Sequence, residues 1–231
     1  AEALAQKYDV VVTNPPYMGG TGMDDKLITF IKKNYDNSKT DLYSVFIERC
    51  FEYTKNKSFT AMITQHGWMF LSSFEKMRED TLKNCIVNMA HLGPRAFDEI
   101  GGEVVQSVSF VARKLYLNSY KANYVRLINY PGENAKKSEF AVSDNYYVST
   151  QESFLRIPGK PYAYWSSEEI LGAFSKSTAL STIAEPRQGV KTLNNDLFLK
   201  LWFEISPEKA SYNCSSIEES ITSKKKWFPY N

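Results

Sequence analysis

The sequence predicts an α/β fold, on two observations. Apolar β-type runs alternate with amphipathic helical stretches up to about residue 92, and consecutive strands follow over residues 104–128. The alternation implies parallel strands joined by helices, and the late strands add an antiparallel element at the end of the sheet.

Each element has its own signal. Tyr8 to Thr13 (YDVVVT) reads as a buried strand, ended by Asn14-Pro15-Pro16. Gly19, Gly20 and Gly22 make a loop. Over residues 41–53, Leu42, Val45, Phe46, Cys50 and Phe51 recur at helical spacing. Residues 58–64 (SFTAMIT) read as a second buried strand. Residues 73–84 read as a charge-rich helix opened by a serine cap. Residues 85–92 form a third strand. Residues 104–114 run on from the Gly101-Gly102 turn, and residues 124–128 complete the sheet. The polar Pro-Gly stretch at 131–137 marks an exit from that domain. The expected organisation is a domain over 1–130, a connector over 131–179 with a short helix at 167–174, and a new region over 180–231. That last region carries the apolar cluster Leu197, Phe198, Leu201, Trp202 and Phe203.

Composition excludes more than it assigns. A net charge of +2 is too small to argue for nucleic acid by itself. The 15 Tyr, 14 Phe and 4 Trp can build a core or stack on bases, and composition does not separate the two. Cys50, Cys85 and Cys214 with His66 and His91 match neither a disulfide framework nor zinc-ligand spacing. No metal site is expected, and a reducing cytoplasm fits best. No apolar run is long enough to cross a bilayer.

Asn14-Pro15-Pro16-Tyr17 carries the chemistry. In open α/β sheets ligands sit beyond the carboxyl ends of the strands, where this motif falls. An exocyclic amine of a base is a poor nucleophile, because its lone pair is delocalised into the ring. Two acceptors for its N–H groups favour a pyramidal nitrogen. The Asn14 side-chain oxygen is one such acceptor, and the Pro15 carbonyl is the expected second. The two prolines fix φ and remove competing donors. Tyr17 offers a ring face for a base flipped out of the duplex. The plainer alternative is a strand ending in an Asn-Pro turn.

DVVVTNPPYM resembles motif IV of adenine-N6 methyltransferases, and KTDLYSVFIERC (39–50) is similar to their next helix. FTAMITQHGWMFLSSFEKMRE (59–79) and HLGPRAFDEIGGEVVQSVSFVARK (91–114) resemble the following strand and helix and the late hairpin. Together they resemble the adenine-specific methyltransferases of BREX phage-defence systems, a group related to fused restriction–methylation enzymes. The resemblance implies the C-terminal half of a Rossmann-like S-adenosylmethionine-dependent methyltransferase sheet, followed by the start of a target-recognition region. It implies double-stranded DNA as partner, with further subunits of a defence complex or self-association also open. Asn14, Pro15, Pro16 and Tyr17 would form the catalytic loop. Asp41, Leu42 and Tyr43 would border the cofactor, unless they are only helix start and core. Phe97 would face the flipped base from the other side, unless it is a core residue. Residues 184–205 resemble the opening of the recognition region, with Arg187, Lys191 and Asn195 as candidate phosphate or base-edge contacts. The family pattern there is Gly, then Thr-Gly-x-Asn. This chain keeps Gly189, Thr192 and Asn195 but has Leu193 at the second glycine.

The glycine-rich cofactor loop and the acidic strand end of such enzymes are not found in the sequence. The expectation is therefore an internal fragment that alone binds cofactor weakly and has little activity. Glutamine-N5 methylation of protein, cytosine-N4 methylation and a non-catalytic DNA-binding module are the competing readings. Which DNA sequence is recognised is not legible.

Overall fold

The computed structural model describes residues 2–97, 105–185 and 192–229. The chain forms two compact units, Ala1–Ser177 and Thr178–Asn231. The first unit is built on a six-stranded mixed sheet in the order β1-β2-β4-β3-β5-β6. The strands are β1 (Tyr8–Thr13), β2 (Thr54–Gln65), β3 (Cys85–Pro94), β4 (Gln106–Arg113), β5 (Lys121–Arg126) and β6 (Tyr146–Thr150). Pairings β1–β2 and β3–β5 are parallel, whereas β4 is antiparallel to both β2 and β3. It follows that β1, β2, β3 and β5 all point their carboxyl ends to one edge of the sheet. β4 and β6 run the other way.

Of the two antiparallel strands, β6 forms one end of the sheet as expected of such an element, whereas β4 lies inside it. β3 and β4 form the expected hairpin, and β4 turns back into the gap between β2 and β3, where both of its edges are paired. The strand β1 also differs from the buried strand expected. Val11 packs on the core, but Val10 and Val12 are 59% and 71% exposed, because β1 is the sheet's edge and its outer face is uncovered among the described residues.

Helices α1 (Glu2–Ala5), α2 (Asp25–Asn34) and α3 (Leu42–Tyr53) lie among the first strands in sequence. α2 had no counterpart in the sequence reading; Asp24 caps it by accepting from the Leu27 amide at 2.8 Å. Gly20–Gly22 form a single 3-10 turn before it. The charge-rich helix is shorter than expected. A 3-10 turn at Ser72–Phe74 leads into α4 (Glu75–Thr81), with no serine cap, since Phe74 holds the cap position.

The stretch expected as a connector builds on the sheet instead. It contains α5 (Gly132–Glu139), β6, α6 (Gln151–Leu155) and α7 (Glu168–Lys176). Buried Gln151 explains the attachment: its side chain accepts from the Ile86 amide and donates to the Leu82 and Asn84 carbonyls. The core joins Ile47, Met62, Trp68, Met77, Phe110 and Tyr124 to Phe154, Tyr162 and Tyr164 from this stretch.

The second unit holds the short helices α8 (Asn195–Phe198) and α9 (Ile217–Thr222). Its apolar side chains are largely exposed, Trp202 at 78% and Phe203 at 64%.

Candidate functional site

Asn14 to Tyr17 follow the last residue of β1, on the edge shared by four strand ends. Pro15 is buried while Asn14 and Pro16 are exposed, so the loop is anchored through one proline and presents the asparagine outward. What holds it is Asp41. One carboxylate oxygen, Oδ1, accepts from the Met18 amide at 2.9 Å and from the Tyr43 amide at 3.2 Å. The Leu42 amide donates back to the Met18 carbonyl at 2.9 Å. Asp41 thus caps α3 and pins the loop with the same atom.

The two tyrosines pack against each other. The Tyr17 ring meets Tyr43 edge-on at 6.0 Å, and Tyr43 in turn contacts Phe74. The Tyr17 hydroxyl faces inward beside that of Ser107 on β4. Neither hydroxyl makes a hydrogen bond among the described residues, and burial raises the Tyr17 pKa despite Ser107. Tyr43 is more deeply buried, and that burial, with the Asp41 carboxylate, pushes its phenol far above the usual range. A Cβ on Gly67 would stand 3.2 Å from the Tyr43 hydroxyl, so Gly67 leaves room for that ring. Leu42 packs beside Met23, Ile31, Tyr35 and Val45.

The structure brings Asn14, Pro15, Pro16, Tyr17, Asp41, Leu42 and Tyr43 together. Phe97, half-buried, follows β3 on the same edge, three strands from β1, and no contact joins it to the loop among the described residues. Residues 98–104 lie outside the described residues, as do Arg187, Gly189 and Lys191. Asn195 belongs to the second unit, where its side-chain oxygen accepts from the Thr192 hydroxyl. Beside it Leu193 has φ +60° and is 96% exposed. Leucine here holds the left-handed backbone that a glycine would favour.

His66 and His91, whose spacing fits no zinc site, are brought together by the fold. His66 follows β2 and His91 lies on β3, and their rings hydrogen-bond, Nδ1 to Nε2, at 2.8 Å across the end of β4. His91 Nδ1 meets the Tyr164 hydroxyl at 3.0 Å. Burial, then the nearby His66, Arg126 and Lys136, lowers His91 to about 3, and burial lowers His66. No group of three or more metal-binding side chains occurs among the described residues, and no described helix is long and apolar enough to cross a membrane.

Residues 2–96 match the family model of the Eco57I restriction-modification methylases. The chain is 45% identical over 237 aligned positions to the adenine-specific methyltransferase PglX of Lacticaseibacillus casei, covering all of this chain and 20% of that protein. It is 40% identical to the adenine-specific methyltransferase BrxX of Escherichia coli, covering 98% of this chain and 18% of that protein. The chain therefore spans about one fifth of the length of these relatives. Among solved structures, one of a type I restriction–modification system matches with TM-score 0.53 at 13% identity, covering 79% of this chain and 42% of that one. The DrdV–DNA complex matches with TM-score 0.51 at 15% identity, covering 73% of this chain and 19% of that one. Those two likenesses bear on the fold, a mixed α/β sheet of the kind found in restriction–modification proteins. Along its whole length the chain is thus similar to a segment, about one fifth, of the PglX-type adenine-specific methyltransferases, and its first strands match the Eco57I methylase family.

Proposed function

We propose that this chain carries the methyl-acceptor half of a site-specific DNA methyltransferase. The enzyme would transfer a methyl group from S-adenosylmethionine to N6 of an adenine flipped out of the duplex, in the setting of phage defence. The observation that carries the reading is the loop at the end of β1: an exposed Asn14 on a buried proline, fixed by Asp41 at the edge where four strands end. In this reading the Asn14 side-chain oxygen and the Pro15 carbonyl accept hydrogen bonds from the two amine N–H groups, and the nitrogen lone pair turns toward the incoming methyl group. A preset loop loses little freedom on binding, so both acceptors act without reorganisation. Tyr17 presents its ring to the base, since its hydroxyl is turned inward beside Ser107.

S-adenosylmethionine supplies the methyl group when bound. The fit at Asp41, Leu42 and Tyr43 rests on the second Asp41 oxygen, Oδ2, which stays outside the bonds that hold the loop. We assign Phe97 to the opposite side of the base, and Arg187, Lys191 and Asn195 to the DNA backbone or base edges, on the family resemblance.

The test is Asn14→Ala in the native gene, with host DNA sequenced for N6-methyladenine. Loss of the modification at one sequence motif is expected. Its persistence would leave the motif a structural relic and sink the assignment.

A further inference from the structure

The carboxyl edge carries a second feature, well away from Asn14. Arg126 ends β5, and its guanidinium carbon lies 5.0 Å from the centre of the Trp165 ring. Trp165 is 38% exposed and packs on Phe70 at 5.7 Å and edge-on to Tyr164 at 4.9 Å. A cation is thus held over a partly open aromatic ledge.

Among the described residues no carboxylate answers its charge, and the polar group set against it is the neutral Tyr164 phenol. Arg126 enters none of the ion pairs formed among the described residues, and its Nε is buried without an acceptor. The titratable groups around it among the described residues are neutral or cationic. His66 and His91 share a hydrogen bond and are held below their usual range, and burial keeps the Tyr164 phenol protonated. The other local cation, Lys136, is already satisfied by three carbonyls, those of Leu92, Leu127 and Tyr130. A half-buried guanidinium with no carboxylate is costly unless an anion meets it.

We propose that Arg126 on Trp165 is a phosphate-binding site for a nucleic-acid strand, the guanidinium taking phosphodiester oxygens and the Trp165–Phe70 ledge flanking the adjoining sugar or base. A planar fork of donors suits a phosphate, and an aromatic face beside it suits the neighbouring nucleotide. β5 lies four strands from β1, roughly 19 Å at the usual strand spacing. The phosphate bound is therefore not that of the target nucleotide but one some nucleotides away. The site grips flanking strand and contributes to binding, not to methyl transfer. This inference rests on the reading of the chain as acting on DNA.

The test uses the protein as its native gene encodes it, in four forms: wild type, Arg126→Gln, Arg126→Lys and Trp165→Ala. Affinity for a short duplex containing the methylated motif is measured across a salt series, with melting temperature as the check on folding. Arg126→Gln is expected to weaken binding roughly tenfold and to reduce the slope of log K against log salt by about one phosphate's worth. Arg126→Lys keeps the slope and binds at an intermediate level, and Trp165→Ala weakens binding with the slope unchanged. Single-turnover methylation at saturating DNA stays at the wild-type rate in all three. An Arg126→Gln protein that folds and binds with unaltered slope overturns the proposal. So does one that loses affinity for S-adenosylmethionine instead of DNA, which would assign the anion to the donor's carboxylate. These readouts do not depend on Asn14: methylation persisting in Asn14→Ala alongside a lost salt slope in Arg126→Gln would remove the catalytic reading and keep the phosphate site.

Discussion

Asp41 shows how much one side chain can decide. The sequence reading left it between cofactor rim and helix start. The structure shows the second role directly, with one oxygen capping α3 and the same oxygen tethering Met18. Asp41→Ala removes both bonds, and a loss of about 1–2 kcal/mol is expected in chemical denaturation, with Asp41→Asn nearer wild type because it keeps an acceptor. If Asp41→Ala were as stable as Asp41→Asn, the cap would contribute nothing. Leu193 carries a different lesson. The departure from the family's glycine was visible in the sequence, but its consequence was not, since a loop can either change shape or keep it under strain. Here Leu193 takes the left-handed φ of +60°, at a cost on the order of 1 kcal/mol.

Among the elements, α4 was the most deceptive. It is rich in charge, yet Arg78 is only 1% exposed. Its guanidinium donates to the Gly159, Trp68 and Leu71 carbonyls, joining α4 to the turn after β2 and to the segment after α6. No periodicity argument finds such a residue, because its partners are backbone atoms far along the chain. Arg78→Met would leave those carbonyls buried without donors. A loss of at least about 3 kcal/mol is expected in a denaturant titration, and a change below 1 kcal/mol would show that water or neighbouring groups replace it. β1, α3, β2, β3 and β4 were legible, because each carries a long apolar run or a helical stripe. β6 and α2 were not: one is five residues of mixed polarity, and the other is a short helix whose apolar stripe, Leu27, Ile28 and Ile31, is interrupted by charge and follows a glycine-rich loop.

For the molecule as a whole, long-range pairing is what the sequence hides. His66 and His91 are the chain's two histidines, and only the insertion of β4 between their strands brings the rings together. Their titration gives a prediction with a definite sign. His91 falls from 6.5 to about 3 on folding, so the unfolded chain binds the proton more tightly. The contribution is complete above pH 6.5 and is lost progressively as pH falls toward 3. It amounts to a few kcal/mol at most. Stability followed from pH 7 to pH 4 should fall less steeply in His91→Asn than in wild type. Equal slopes would show that carboxylates alone govern the acid limb.

The place of β4 bears on how the chain folds. Its neighbours on either side, β2 and β3, leave an open slot until residues 106–113 arrive, and the Phe59–Arg113 pairing closes a loop of more than fifty residues. Contacts of such separation form late and slowly. Until then two strands of the sheet expose unpaired edges, which makes the interval before β4 docks the time of greatest exposure to aggregation.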